Sequence, residues 1–258
     1  MKRGNLPVAA SDALSKVPQA TLAFWLVKIL ATTVGETGGD ALSMTLNLGY
    51  AVSSLILFGF FCVTMAAQIT SKRFHPLFYW AVVVATTTVG TTTSDYMDRT
   101  LGLGYIKSSV MLFSAVLLIL AAWRYTTGEI AVDRVTTRTN EMFYWVTILL
   151  SNTLGTALGD FVATTTGLGF ERGALVFAGL IGLVAAAYFL LKVPESIAFW
   201  AAYVLTRPLG ATLGDTLTKP HGEGGLALGR ITSSLVIAGA MIVLIALTSR
   251  RERVEFGG

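Results

Sequence analysis

The chain has 258 residues, 53% of them hydrophobic and only 13% charged, with a formal net charge of +4. A soluble domain carries about 25% charged residues, so the deficit points to lipid as the solvent, and the small positive excess gives no nucleic-acid footprint. One cysteine excludes an internal disulfide, and one cysteine with two histidines (Cys62, His75, His221) cannot build a zinc site of about four N or S ligands.

In chain order, residues 1–18 form a short basic arm with no long apolar segment before Pro18, so no cleaved leader is expected. Crossing the hydrocarbon core takes about 20 apolar residues. On that scale the sequence predicts eight spans, at about 20–39, 49–69, 77–94, 104–123, 142–159, 169–191, 197–214 and 229–248. A charged loop at 124–141 divides the chain near its middle, and a polar tail, SRRERVEFGG, closes it. Cys62 falls in an apolar run and reads as a small core residue.

One pattern organises these spans: Trp, nine residues, Gly, three residues, Gly or Ser, then Asp. It runs from Trp25 to Asp40, Trp80 to Asp95, Trp145 to Asp160 and Trp200 to Asp215. The motif Gly recurs after 55, 65 and 55 residues, as expected of a two-unit half that was itself duplicated. The even spans open on Gly49, Gly104, Gly169 and Gly229, each with a small residue four positions on (Ser53, Ser108, Gly173, Ser233). The predicted fold is therefore an all-α polytopic membrane domain over 1–258. It comprises four parallel two-helix repeats at about 19–72, 76–124, 141–192 and 196–249.

Charge orients it. The termini and the loops after spans two, four and six hold twelve Lys and Arg; the opposite side holds Arg99, Lys107, Arg172, Lys219 and Arg230. The positive-inside rule then places both termini in the cytoplasm, with the Trp clusters as anchors at the inner interface.

Each Asp follows its Trp by fifteen residues, about 22 Å along an unbroken helix. The Gly-x-x-x-small step just before it lets helix backbones approach closely in lipid. That approach would bring Asp40, Asp95, Asp160 and Asp215 toward a common axis or into two pairs. The alternative is four caps facing water. Glu36 occurs in the first unit alone, one turn before Asp40. Oxygen-only ligands suit hard cations such as Mn²⁺ or Ca²⁺, so these five acids are the candidate metal and transport ligands.

Two bases lie inside spans, Lys28 and Arg207. Intramembrane charges face the protein interior with a partner. Lys28 alternatively snorkels toward the interface; Arg207 is read as a counter-charge to the acids or a ligand for an anion. Thr32, Thr87 and Asn152 occupy the position of Arg207 in the other units and make a polar layer of the pathway. The threonines at 86–88 and 91–93 either line a pore or bond backbone carbonyls.

Residues 152–160 read N-T-L-G-T-A-L-G-D. With its three relatives, this segment resembles a family of uncharacterised bacterial multi-span membrane proteins built on such repeats. The likeness covers nearly the whole chain and implies the bacterial inner membrane. GETGGD at 35–40 is similar to the Glu-x-Gly-Asp signature of the small calcium/manganese–proton exchangers. That family sets its acids in two inverted repeats. Here the repeats are parallel, the acids are one residue further apart, and a single unit carries the Glu.

No Walker loop, H-E-x-x-H, G-x-S-x-G or Cys-x-x-Cys is present, so an enzyme is not expected. The first expectation is a secondary transporter of a cation, such as divalent Mn²⁺ or Ca²⁺, with no cofactor beyond that bound ion. Its partners would be the bilayer, a small inorganic ion and further copies of itself, with no nucleic acid. The alternatives are a non-transporting membrane subunit or sensor, and a carrier of an anion or organic metabolite through Lys28 and Arg207.

Overall fold

The computed structural model describes residues 18, 20–71, 74–128, 130 and 137–256. The basic arm with Lys2, Arg3 and Lys16, the loop residues Lys72, Arg73 and Arg134, and the side chains of Arg250, Arg251 and Arg253 lie outside the described residues.

Among the described residues there are eight long helices and no strand: α1 (Leu22–Asp40), α2 (Gly49–Thr70), α3 (Pro76–Asp95), α4 (Gly104–Thr127), α5 (Arg138–Asp160), α6 (Phe170–Leu191), α7 (Glu195–Thr218) and α8 (Arg230–Phe256). Local chemistry sets several starts. The Thr21 hydroxyl accepts from the Phe24 N–H at 3.2 Å, and Thr137 does the same for Asn140; such caps satisfy amides that have no helical partner. Pro76 occupies the first turn of α3, where its missing N–H costs nothing.

The four odd helices form a closed ring. α1 packs on α3, α3 on α5, α5 on α7, and α7 returns to α1. Each even helix lies outside this ring and packs on the odd helix of the next repeat: α2 on α3, α4 on α5, α6 on α7, and α8 back on α1. A repeat thus makes its main helix contacts with its neighbours rather than internally, and the fourth closes onto the first. That suits a unit too small to bury its own face.

The motif glycines hold the ring. A Cβ on Gly35 would run into Thr87, on Gly90 into the Asn152–Thr153 backbone at 3.0 Å, on Gly155 into Arg207 at 2.5 Å, and on Gly210 into Thr32. Each first Gly therefore seats the residue three before the first Gly of the next repeat. One turn on, Gly39 meets Thr91, Gly159 meets Ala211 and Gly214 meets Glu36. Hydroxyls cross the same seams: Thr87 Oγ1 donates to the Ala31 carbonyl (3.2 Å) and Thr32 Oγ1 to that of Thr206 (3.1 Å). The even helices add Ser54 to Thr92 (3.0 Å) and Ser234 to Thr37 (2.7 Å).

The conserved register makes the odd helices parallel, with aromatic ends together and Asp ends together. Phe24, Trp80, Trp145, Tyr144 and Tyr79 close one end, where the Tyr79 and Tyr144 hydroxyls are 3.1 Å apart. After Asp40, Asp95 and Asp160 the chain makes one π-helical turn (Ala41–Thr45, Tyr96–Thr100, Phe161–Thr165) and then a left-handed residue: Asn47, Gly102 and Gly167. The fourth connector continues as α-helix to Thr218 and places Ala227 at the left-handed position, with φ 54°.

Among the described residues, five helices are long and apolar enough to cross a membrane: α2, α4, α5, α6 and α8. Four of them are the outer layer. The inner α1, α3 and α7 spend their ring-facing surface on Thr, Gly and charge, so their composition falls short of the expected eight apolar spans.

Other expectations need correction. Cys62 is exposed on α2; in a lipid-facing helix, apolar neighbours do not mean core. Trp80 and Trp145 are buried inside the bundle, because each packs on an aromatic ring of the neighbouring odd helix, Trp80 on Phe24 and Trp145 on Tyr79. Asp40, Asp95 and Asp160 are the last α-helical residues of α1, α3 and α5, but the chain stays helical for a π turn beyond each, and α7 continues past Asp215 to Thr218. The mid-chain loop is shorter than 124–141, since α4 reaches Thr127 and α5 starts at Arg138, and the tail is helical to Phe256.

Two substitutions check the ring. Gly210→Ala drives a Cβ into Thr32 and is expected to cost about 1–3 kcal/mol from overpacking. Gly179→Ala on the outer face, with nothing within 4 Å, is expected to be neutral or to gain up to about 1 kcal/mol of helix propensity. Thermal unfolding in one detergent reads both; equal midpoints would contradict the close approach.

Candidate functional site

Residues four apart stack along one helix face. Four such positions on each odd helix point into the ring. The first layer is Lys28, Val83, Ile148 and Tyr203. The second is Thr32, Thr87, Asn152 and Arg207. The third is Glu36, Thr91, Thr156 and Ala211, and the fourth is Asp40, Asp95, Asp160 and Asp215. None of these sixteen residues exposes more than 2% of its surface. The structure thus collects every acid singled out in the sequence, together with Lys28, Arg207, Asn152, Thr32 and Thr87. The aspartates are not caps facing water.

Arg207 is the hub. One terminal nitrogen, Nη2, lies 3.0 Å from Glu36 Oε2 and donates to Thr91 Oγ1 (2.6 Å) and Thr156 Oγ1 (2.5 Å). It therefore touches all three other odd helices. Its Nε and Nη1 have no hydrogen-bond partner in the structure. Lys28 does not snorkel. It is fully buried, and its Nζ sits 4.1 Å over the Tyr203 ring with no hydrogen bond; a cation over an aromatic face recovers part of the lost hydration. Asn152 Nδ2 donates to Thr86 Oγ1 at 2.9 Å. Most of the threonines at 86–92 bond helix carbonyls and do not line an open channel.

The four aspartates form two pairs, each clamped by a cation from the turn beyond. Lys219 Nζ lies 3.2 Å from both Asp40 Oδ2 and Asp215 Oδ1. The first contact is a directed hydrogen bond; the second is ionic only, since Asp215 Oδ1 lacks hydrogen-bond geometry. Arg99 reaches Asp95 at 2.9 Å and Asp160 at 3.5 Å, and Arg230 adds a 3.5 Å contact to Asp40. Arg99 and Lys219 stand four residues after Asp95 and Asp215 and bridge to the aspartate of the following repeat. The same position holds Met44 and Thr164 in the other two repeats. The clamps therefore obey the two-fold symmetry of the duplicated halves.

Read as loop charges, Arg99, Lys219 and Arg230 were missed as site residues. The i, i+4 spacing of an acid and a base was the available signal for Arg99 and Lys219; the π turn and the extra helical turn carry those two back over the ring, while Arg230 reaches it from the first residue of α8.

The two pairs differ. Glu36 joins Asp40 and Asp215, and one carboxylate oxygen of each lies within 4.8 Å of the others. Asp40 Oδ1 is buried without a hydrogen-bond partner. On the opposite half, the position of Glu36 is Thr156. Three convergent carboxylates offer hard oxygen ligands. Asp95 and Asp160 do not join this group.

The architecture is that of a membrane protein made of four helical repeats around a buried charge cluster. The chain belongs to the family described as Repeat of Unknown Function (DUF347), whose model matches residues 23–74, 78–129, 143–193 and 198–254, one odd and one even helix each. No curated protein and no solved structure matches it. The comparisons give no link to the calcium/manganese–proton exchangers.

Removing one member of a buried ion pair costs about 3–5 kcal/mol, whereas replacing both members together costs far less. Glu36→Gln and Arg207→Met should each lower the unfolding free energy by that order, and the double variant should recover much of the loss. Strict additivity in the double-mutant cycle would show that the pair is not coupled.

Proposed function

We propose that the chain is a non-enzymatic carrier of a hard cation, of the Mn²⁺ or Ca²⁺ class, with all eight helices crossing the membrane. Glu36, Asp40 and Asp215 bind the cation. Their convergence, one oxygen each within 4.8 Å and all buried, carries the reading. A solvated salt-bridge network needs no such burial, and burying three carboxylates together is tolerated only with cations beside them. Arg207 is the fixed counter-charge on Glu36, and Arg99 neutralises the opposite pair. The ring's aromatic end closes the path on one side. With the charge bias of the loops, both termini face the cytoplasm and the aspartate end faces outward, in a bacterial inner membrane.

A second reading has its own support. Lys28 Nζ and Arg207 Nε and Nη1 are buried without hydrogen-bond partners, as groups awaiting an anion would be.

Reconstituted liposomes separate the two. Cation carriage predicts Mn²⁺ uptake that falls by more than about tenfold in Asp40→Asn and in Asp215→Asn, with the protein still folded. Full uptake in both variants sinks the assignment. Uptake of an anion lost in Arg207→Ala, with no response to cations, selects the second reading.

A further inference from the structure

We infer that Lys219 is a tethered stand-in for the transported cation: its ammonium occupies the Asp40–Asp215 site when cargo is absent and must leave before cargo binds. This inference rests on the cation-carrier reading and deepens it.

The position of Lys219 carries the argument. Its Nζ is 3.2 Å from one oxygen of each aspartate, between two of the three carboxylates that converge there. An ammonium and a metal ion compete for the same lone pairs, and this residue is almost entirely buried. Lysine also suits release better than arginine. It is a point charge on a flexible four-carbon stem, whereas a guanidinium is a planar fork. The other aspartate pair is held by an arginine, Arg99, and lacks a third carboxylate.

The segment that holds Lys219 is particular to this repeat. The fourth connector is five residues longer than the first three, and the extra length folds back onto the end of α7. Leu226 N–H donates to the Thr216 carbonyl (2.7 Å), Ala227 N–H to that of Lys219 (2.9 Å) and Leu228 N–H to that of Leu217 (2.9 Å). A Cβ on Gly225 would strike the Lys219 carbonyl. These contacts fix the Lys219 backbone at the rim of the ring and leave its side chain as the moving part. Asp40 Oδ1, unpartnered beside it, is a ligand atom that the ammonium does not use.

The test is Mn²⁺ binding to the full-length purified protein, read from the loss of the free-ion electron paramagnetic resonance signal. The variants are Lys219→Met, Lys219→Gln and Lys219→Arg. With the competitor removed, Met and Gln should bind Mn²⁺ at least about tenfold more tightly than wild type, and their thermal midpoints should rise on adding Mn²⁺. The Arg variant should not gain affinity. A gain that Asp40→Asn abolishes, in variants that keep a cooperative thermal transition, supports the inference. Two results overturn it distinguishably. Unchanged or weaker binding in Met and Gln, with wild-type binding that Asp40→Asn removes, rejects the stand-in and keeps the cation site. No Mn²⁺ binding in wild type, Met or Gln rejects the inference and the carrier reading together.

Discussion

The ring depends on the absence of a side chain at four places. At Gly35, Gly90, Gly155 and Gly210 a neighbouring helix enters the volume a Cβ would fill. In lipid there is little hydrophobic gain from bringing helices together, so close packing and cross-helix hydrogen bonds supply the attraction. Threonine hydroxyls donating to carbonyls of the adjacent helix supply those bonds. Because each glycine receives a residue from the next repeat, and the fourth receives Thr32 of the first, the contact is cyclic. The outer helices follow the same rule and lean on the next repeat, which leaves their other faces to lipid.

Close approach explains the chemistry at the centre. Four backbones this near leave room for one long side chain in the Thr32–Thr87–Asn152 layer, and Arg207 takes it, donating upward to Thr91 and Thr156 and pairing with Glu36. One turn on, four carboxylates face one another. Unpaired, they would not be tolerated away from water. Lys219 and Arg99 enter from the connectors, and Arg230 from the first residue of α8. The cluster is thus offset in part by residues of different freedom: a buried arginine held by three helices, a partly exposed arginine bridging two repeats, and a lysine on a short strap. A carrier needs charge that can be exchanged, and of these groups the lysine is best built for it.

Much of this was legible in the sequence. The period of 55, 65 and 55 residues identified the repeats, and the small-residue step beside each Asp pointed to helices meeting at that level. The isolated Glu36 and Arg207 stood out because charge is costly in an apolar span. Three things were hidden. Which helix an outer helix leans on is a long-range fact, and no local pattern tells α2 to prefer α3 over α1. The clamping role of Arg99 and Lys219 depended on the backbone staying helical past the aspartates, whereas the expected spans stopped at 94 and 214, before those residues. Cys62 and the buried Trp80 and Trp145 were misjudged through rules for soluble cores and for interfaces. In a two-layer membrane bundle the outer layer is apolar and exposed, and the inner layer is polar and buried.

The central claim is that Glu36, Asp40 and Asp215 form one cation site. Crystals of the protein soaked in Mn²⁺ and measured at the manganese absorption edge test it most directly. The account predicts an anomalous peak among these three carboxylates, with the Lys219 ammonium displaced from Asp40. Saturating Mn²⁺ with no peak there, and Lys219 still between Asp40 and Asp215, would contradict it.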